Sequence, residues 1–125
     1  MKSYLLDTHV ILWWLAGEPM TPEAMSVIRN RDTQLFLSSV SAWEIAVKRK
    51  LGKLEAPADL EEQIRATDVQ LLDLRWSHAW AAGEIALHHK DPFDRMIIAQ
   101  ARLEGMVLIT ADRRLGEYNV PMIYA

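Results

Sequence analysis

The chain has 125 residues, half of them hydrophobic and a quarter charged, an ordinary globular composition with enough length for a sizeable core. Fourteen basic against seventeen acidic residues leave a net charge of −3, which excludes a strongly basic nucleic-acid footprint, so any RNA or DNA contact must use a local patch or bound cations. The absence of cysteine excludes disulfides and thiolate metal sites and suits a reducing cytoplasm, and no apolar run reaches the roughly 18 residues of a membrane span.

In chain order, Ser3–Leu6 reads as a short buried strand and Thr8–Ala16 as a helix stopped by Gly17 and Pro19. The stretch superficially resembles a secretory signal, but Asp7 and His9 interrupt its apolar region and Glu18-Pro19 stands where small residues should mark cleavage. Thr21-Pro22-Glu23 opens a second helix to about Arg29, and Leu35–Ser38 is a strand. A helix from about Ser41 to Leu51 follows, closed by Gly52, with Ser41-Ala42-Trp43-Glu44 fitting the S-x-x-E capping box. Asp59–Thr67 is helical, Val69–Leu72 a strand, and Ser77–His88 a helix with Ser77 as its cap. Pro92–Glu104 is a helix closed by Gly105, Met106–Thr110 a strand, and Pro121–Tyr124 a short last one. With no repeat or linker, residues 1–125 read as one domain. Apolar strands alternating with helices predict an α/β fold around a mainly parallel sheet, whose ligands sit beyond the carboxyl ends of the strands.

Four acids stand out against that frame. Asp7 directly follows the first strand, and Asp112 follows Met106–Thr110 by two residues. Either could simply cap a helix or turn. Glu44 lies within about 60° of Val40, Val47 and Leu51 around its helix, at the edge of the face expected to be buried. In KDPFDRMIIAQAR, residues 90–102, Asp91 suits the N-cap, Pro92 the first helical position and Asp94 the first turn. Yet Asp94 shares a stripe with Ile97, Ile98 and Ala101, the side a helix buries, where a carboxylate costs several kcal/mol unless offset. The architecture brings two strand-end acids and two first-turn acids to one edge of the sheet. Carboxylates that close repel one another unless neutralised, and no lysine is an obvious central partner. A hard divalent cation such as Mg²⁺ is the expected answer, because it takes oxygen ligands and can activate water for in-line attack on a phosphodiester.

The stretches YLLDTHVILWWL, SSVSAWEIAVKRKLGKL, HHKDPFDRMIIAQA and LITADRRL together resemble a PIN-domain ribonuclease, specifically the VapC-type toxins of prokaryotic toxin–antitoxin pairs. The resemblance spans essentially the whole chain. It implies a PIN-like three-layer α/β fold with a central, mainly parallel sheet of four to five strands flanked by helices. It also implies an endoribonuclease dependent on Mg²⁺ or Mn²⁺, whose catalytic and metal-binding acids fall on Asp7, Glu44, Asp94 and Asp112. Thr8 and Thr110 match hydroxyl positions beside that cluster, and Asp91 is a possible supporting acid. Implied partners are an RNA substrate, a small antitoxin protein and a second copy of the chain.

Lys48, Arg49, Lys50 and Lys53 form the clearest basic cluster, read either as a solvated helix face or as a phosphate-contacting patch. Arg95, Arg113 and Arg114 flank the acids and are candidates for holding RNA phosphates or an antitoxin's acids. His88 and His89 read as a solvated helix end, with metal or substrate binding as the alternative. Trp13 and Trp14 are adjacent and cannot both face one core, so one is expected at an interface; Trp43, Trp76 and Trp80 are expected in the core. Two rivals remain. An aspartate-based phosphotransfer domain would want a second acid two residues after Asp7, where His9 stands, or a lysine after a late strand. A non-catalytic binding module would use the same acids only as caps.

Overall fold

The computed structural model describes residues 2–88 and 90–125. Five short strands form one sheet in which every pairing is parallel: β1 (Ser3–Leu6), β2 (Gln34–Ser38), β3 (Gln70–Leu72), β4 (Val107–Thr110) and β5 (Met122–Tyr124), in the order β3-β2-β1-β4-β5. Parallel neighbours need crossovers, and six helices occupy them: α1 (Thr8–Ala16), α2 (Pro22–Arg29), α3 (Ser39–Lys50), α4 (Leu60–Arg65), α5 (Trp76–Glu84) and α6 (Pro92–Glu104). A 3₁₀ turn (Arg113–Glu117) links β4 to β5.

Successive side chains of β1 point to opposite faces and so feed two cores. Leu5 packs with Val40, Ile97, Ile98, Ala101, Leu108 and Leu115 under α5 and α6. Tyr4 and Leu6 pack with Val10, Ile11, Ala24, Ile28, Leu35, Leu37 and Ile109 under α1 and α2. Helices on both faces of a parallel sheet give the expected three layers.

α4 is shorter than the sequence reading, Leu60–Arg65 against Asp59–Thr67, and the boundaries of α3 and α5 differ in ways that bear on capping. α3 starts at Ser39, and Ser38, not Ser41, is its cap, accepting from Val40 N. α5 starts at Trp76 with Arg75 at the cap position, where His78 Nδ1 accepts from Arg75 N at 3.0 Å, so Ser77 does not cap it. The same helix ends at Glu84, which leaves His88 outside any helix. Gly105 closes α6 as expected, at φ 65°, a left-handed conformation that costs glycine little.

Strand order reverses between β1 and β4: β2 and β3 lie to one side of β1, β4 and β5 to the other. In an open α/β sheet that switch point leaves a crevice beyond the strand ends, because the flanking crossovers leave in opposite directions. Asp7 and Thr110 sit there.

Candidate active site

Asp7 continues β1 by donating its backbone N–H to Ile109 O at 2.9 Å, which fixes it against β4. Its carboxylate accepts from Thr8 N at 2.7 Å, capping α1, and from the Thr110 hydroxyl at 2.7 Å. Thr110 Oγ1 in turn accepts from Asp112 N at 3.1 Å, so the acid ending β1 and the acid following β4 share one threonine. Asp7 is both a helix cap and a buried acid, only 5% exposed. Burial pushes its carboxyl up from the ordinary aspartate value, against the lowering effect of Thr110 and Thr8, and the charge of Glu44 pushes the same way.

Glu44 comes from α3, two turns beyond the cap, and is 2% exposed. Its Oε1 lies 2.6 Å from Thr8 Oγ1, and Thr8 Oγ1 lies 2.9 Å from Ser41 Oγ. A hydroxyl has one hydrogen to give, and the carboxylate is the stronger acceptor, so Thr8 holds Glu44 and Ser41 supports Thr8. The S-x-x-E pattern therefore buries its Ser and Glu together inside the helix and is not a capping box.

Asp91 caps α6, its Oδ1 accepting from Phe93 N at 2.9 Å and Asp94 N at 3.3 Å. Asp94 is half-buried at the head of a stripe whose later members Ile97, Ile98 and Ala101 are fully buried, the heading its spacing predicts. Its charge reaches Lys48 on one side and Arg114 on the other. Asp112 caps the 3₁₀ turn through Arg114 N at 3.0 Å and pairs with the Arg114 guanidinium at 2.8 Å.

The expectation that no lysine serves the acids is corrected. Lys48, one turn beyond Glu44, makes an ion pair with Glu44 Oε2 and stands 3.9 Å from Asp91 Oδ2. Burial works against its charge, but the hydrogen bond and charge of Glu44, with Asp91 and Asp94, outweigh it and hold the ammonium above the ordinary lysine value. The i,i+4 spacing of Glu44 and Lys48 could have found this pair in the sequence.

Other expected groups scatter. Arg95 does not present its guanidinium to a substrate: it donates to the carbonyls of Ala82, Ile85 and Ala86 and locks α6 to the end of α5. Arg49 donates to Pro57 O, and Arg113 lies over the Tyr124 ring at 4.7 Å from its centroid. Lys50 and Lys53 are exposed. His88 Nδ1 stands 3.7 Å from Glu117 Oε2 and edge-on to Tyr118, while His89 lies outside the described residues. Trp43, Trp76 and Trp80 are not core residues but are exposed, and Trp13 and Trp14 are both half-buried.

The carboxylates supply hard oxygen donors, and the unfavourable burial of charge on Asp7 is what a cation would relieve, so the residues fit Mg²⁺ in kind. They do not yet surround one point: among the described residues, no three of His, Cys, Asp and Glu stand grouped to hold an ion.

The family model of the PIN domain matches residues 4–120. The chain belongs to the PIN-domain family. A curated relative, ribonuclease VapC22 of Mycobacterium tuberculosis (strain ATCC 25618 / H37Rv), is 27% identical over 124 residues, covering 97% of this chain and 95% of that protein. Solved structures share the PIN fold. VapBC2 from Rickettsia felis, bound to a DNA fragment from their promoter, superposes with TM-score 0.73 at 14% identity, covering 98% of each chain. DNA-bound VapBC from Salmonella typhimurium gives 0.71 at 18% identity, with 99% of this chain and 98% of that one covered. VapBC-1 from nontypeable Haemophilus influenzae gives 0.65 at 21% identity, with 98% and 97% covered.

Proposed function

We propose that this PIN domain is a divalent-metal-dependent endoribonuclease, the toxin of a toxin–antitoxin pair, acting as a homodimer and restrained by a small antitoxin. The observation that carries the catalytic reading is the pair of nearly sealed acids, Asp7 and Glu44, held through Thr8 at the switch point of the sheet. Burying two acids costs stability, and capping does not require it, since an exposed aspartate would start α1 equally well. The ribonuclease name of the Mycobacterium tuberculosis relative supports the reaction class, and the VapBC complexes among the structural relatives support the antitoxin.

Asp7, Glu44, Asp94 and Asp112 are the residues that would hold Mg²⁺ or Mn²⁺. Bound there, the ion would supply the Lewis acidity that lets water attack phosphorus at neutral pH. The chain's own groups do the positioning. Thr110 and Thr8 N fix both oxygens of Asp7, and Thr8 aims Glu44 toward the same crevice. Asp91 fixes the first turn of α6, and with it the direction of Asp94. Lys48 neutralises Glu44 through their ion pair.

The test is single-turnover cleavage of RNA in Mg²⁺ or Mn²⁺, with EDTA ending the reaction and excess metal restoring it. Asp94→Asn should slow cleavage by at least ~100-fold, as losing an ion ligand costs several kcal/mol of barrier, while Asp91→Asn keeps a good N-cap and should lose much less. Thermal melts on both variants exclude unfolding as the cause. Undiminished cleavage in a thoroughly chelated sample would falsify the metal reading, and equal losses in the two variants would overturn the division between cap and ligand.

A further inference from the structure

Trp43 immediately precedes the buried Glu44, yet it is 56% exposed. Its indole meets the Phe93 ring edge-to-face, with centroids 5.0 Å apart and planes at 73°. Phe93 immediately precedes Asp94, its backbone N–H is fixed by Asp91, and Lys48 Nζ stands 5.6 Å from its ring centroid. The aromatic pair is thus bolted to the same turns of α3 and α6 that present the acids. An edge-to-face contact ties down the indole's orientation while consuming little of its area, so the ring is rigid and still available. The other two strongly exposed tryptophans differ. Trp76 and Trp80 stack on each other at 6.3 Å, beside Leu103 near the far end of α6, where His78 of α5 meets Glu104.

Electrostatics sharpens the question of what Trp43 is for. The site is acidic, the whole chain carries −3, and the cations expected to hold phosphates are partly spent: Lys48 on Glu44 and Arg95 on backbone carbonyls. A polyanion brought to this crevice needs an attraction that does not depend on charge. Stacking of a nucleobase on an aromatic face is such an attraction, and it tolerates any base because each has a π-face. A base inside a duplex is already stacked on its neighbours and is not free to move onto an indole.

Building on the nuclease reading above, we infer that Trp43 is a specificity-determining residue, the platform on which an unpaired base next to the scissile phosphate stacks. A base held in a duplex is not offered to Trp43, so the residue discriminates by whether a base is free to stack and not by its identity. Phe93 acts through Trp43, as the wall that keeps the indole in place.

Cleavage of a single-stranded oligoribonucleotide should be measured beside copies carrying one abasic nucleotide on either side of the cut. Removing one particular flanking base should lower kcat/KM of the wild type by roughly 5- to 150-fold, the range stacking on one aromatic gives. Trp43→Ala should lose a similar factor on the intact oligonucleotide and be indifferent to that abasic position, while Trp43→Phe recovers most of the loss. Wild-type rates from Trp43→Ala, or a further full loss when the abasic copy is given to it, overturn the platform. The same would follow if Trp43 served only a protein partner. Anisotropy of the labelled oligonucleotide bound to Asp7→Asn, with and without Trp43→Ala, separates the two readings. No RNA cleavage by the wild type sinks the nuclease while the anisotropy still judges the stacking. Unchanged binding beside normal cleavage sinks the platform alone.

Discussion

Two hydroxyls, Thr8 and Thr110, decide how the acids of the crevice behave. Each donates to a carboxylate that the fold has taken out of water, and neither supplies a positive charge. Hydrogen bonds alone do not offset burial at Asp7, whose carboxyl stays above its ordinary value. The sign of the linkage follows. A raised folded-state value means the group favours the fold below the ordinary carboxylate range, and that contribution is lost as pH rises through the raised value. Asp7→Asn removes the titration while retaining a cap and a partner for Thr110. The variant should therefore melt higher than the wild type at pH 7 to 8 without metal, by about 4 °C per kcal/mol relieved, and the gap should close toward pH 4. Mg²⁺ should raise the melting temperature of the wild type and leave the variant's nearly unchanged. Melts of both proteins across pH, with and without the ion, check this; a variant less stable than wild type at neutral pH would show that Asp7 is held by more than its hydrogen bonds.

Among the secondary elements, α3 and α6 carry Glu44 and Asp94, and a buried polar brace away from the acids joins the start of one to the middle of the other. The Ser38 hydroxyl, at the start of α3, bonds Gln100 Oε1, while Gln100 Nε2 reaches Asp73 O and His78 Nδ1, each at 3.3 Å. Ser38, Gln100 and His78 are all essentially sealed from water. Gln100→Leu should cost about 1–3 kcal/mol in urea unfolding, because it strands the buried Ser38 hydroxyl and removes the donor to Asp73 O. A loss no larger than that of Ile98→Val, typically about 0.5–1.5 kcal/mol, would mean the brace contributes little beyond packing. The order and type of the elements were legible because apolar runs are punctuated by Gly17, Gly52, Pro92 and Gly105. Capping was less so. Ser38 and Ser41 are equally good caps by residue type, and the choice depends on where β2 stops pairing with β3, at Ser38–Leu72. At α5 an imidazole three residues inside the helix satisfies the first amide, a role that residue-type rules assign to Glu or Gln. The tryptophans misled for a related reason: Trp76 and Trp80 are one turn apart, and that spacing makes an exposed stripe as readily as a buried one. That Asp7 and Asp112 lie beyond strand ends and Asp94 in a first turn was legible because strand ends and helix starts are topological facts, whereas Glu44 lies deeper in α3 than the first turn expected of it, since the helix starts at Ser39. Lys48 is hard to single out because it stands in a basic run with Arg49, Lys50 and Lys53, and only its i,i+4 spacing marks it as the partner of Glu44.

For the molecule as a whole, the distribution of charge sets how RNA binding should respond to salt. A protein that recognises nucleic acid through many phosphate contacts loses affinity steeply as salt rises, since each contact releases condensed counterions. Here the net charge is −3, Arg95 is consumed in holding α6 to α5, and Lys48 is engaged with Glu44. Arg49, Lys50, Lys53 and Arg113 remain the candidates for phosphate contact, and Lys50 and Lys53 are the exposed lysines of that group. Lys50 ends α3 about 200° around the helix from Lys48 and Lys53 follows the helix, so at most a few phosphates near the crevice can be served together. Two or three contacts to a single strand predict a slope of log K against log salt of roughly −1 to −2, because each contributes about −0.7. Anisotropy of a labelled oligoribonucleotide bound to Asp7→Asn, titrated with KCl at fixed Mg²⁺, measures it. Replacing Lys50 and Lys53 by Gln should flatten the slope by about one unit or more and weaken binding alike for every sequence. A slope of about −4 or steeper would mean a far broader basic footprint than this surface provides, and would require a second subunit to contribute it.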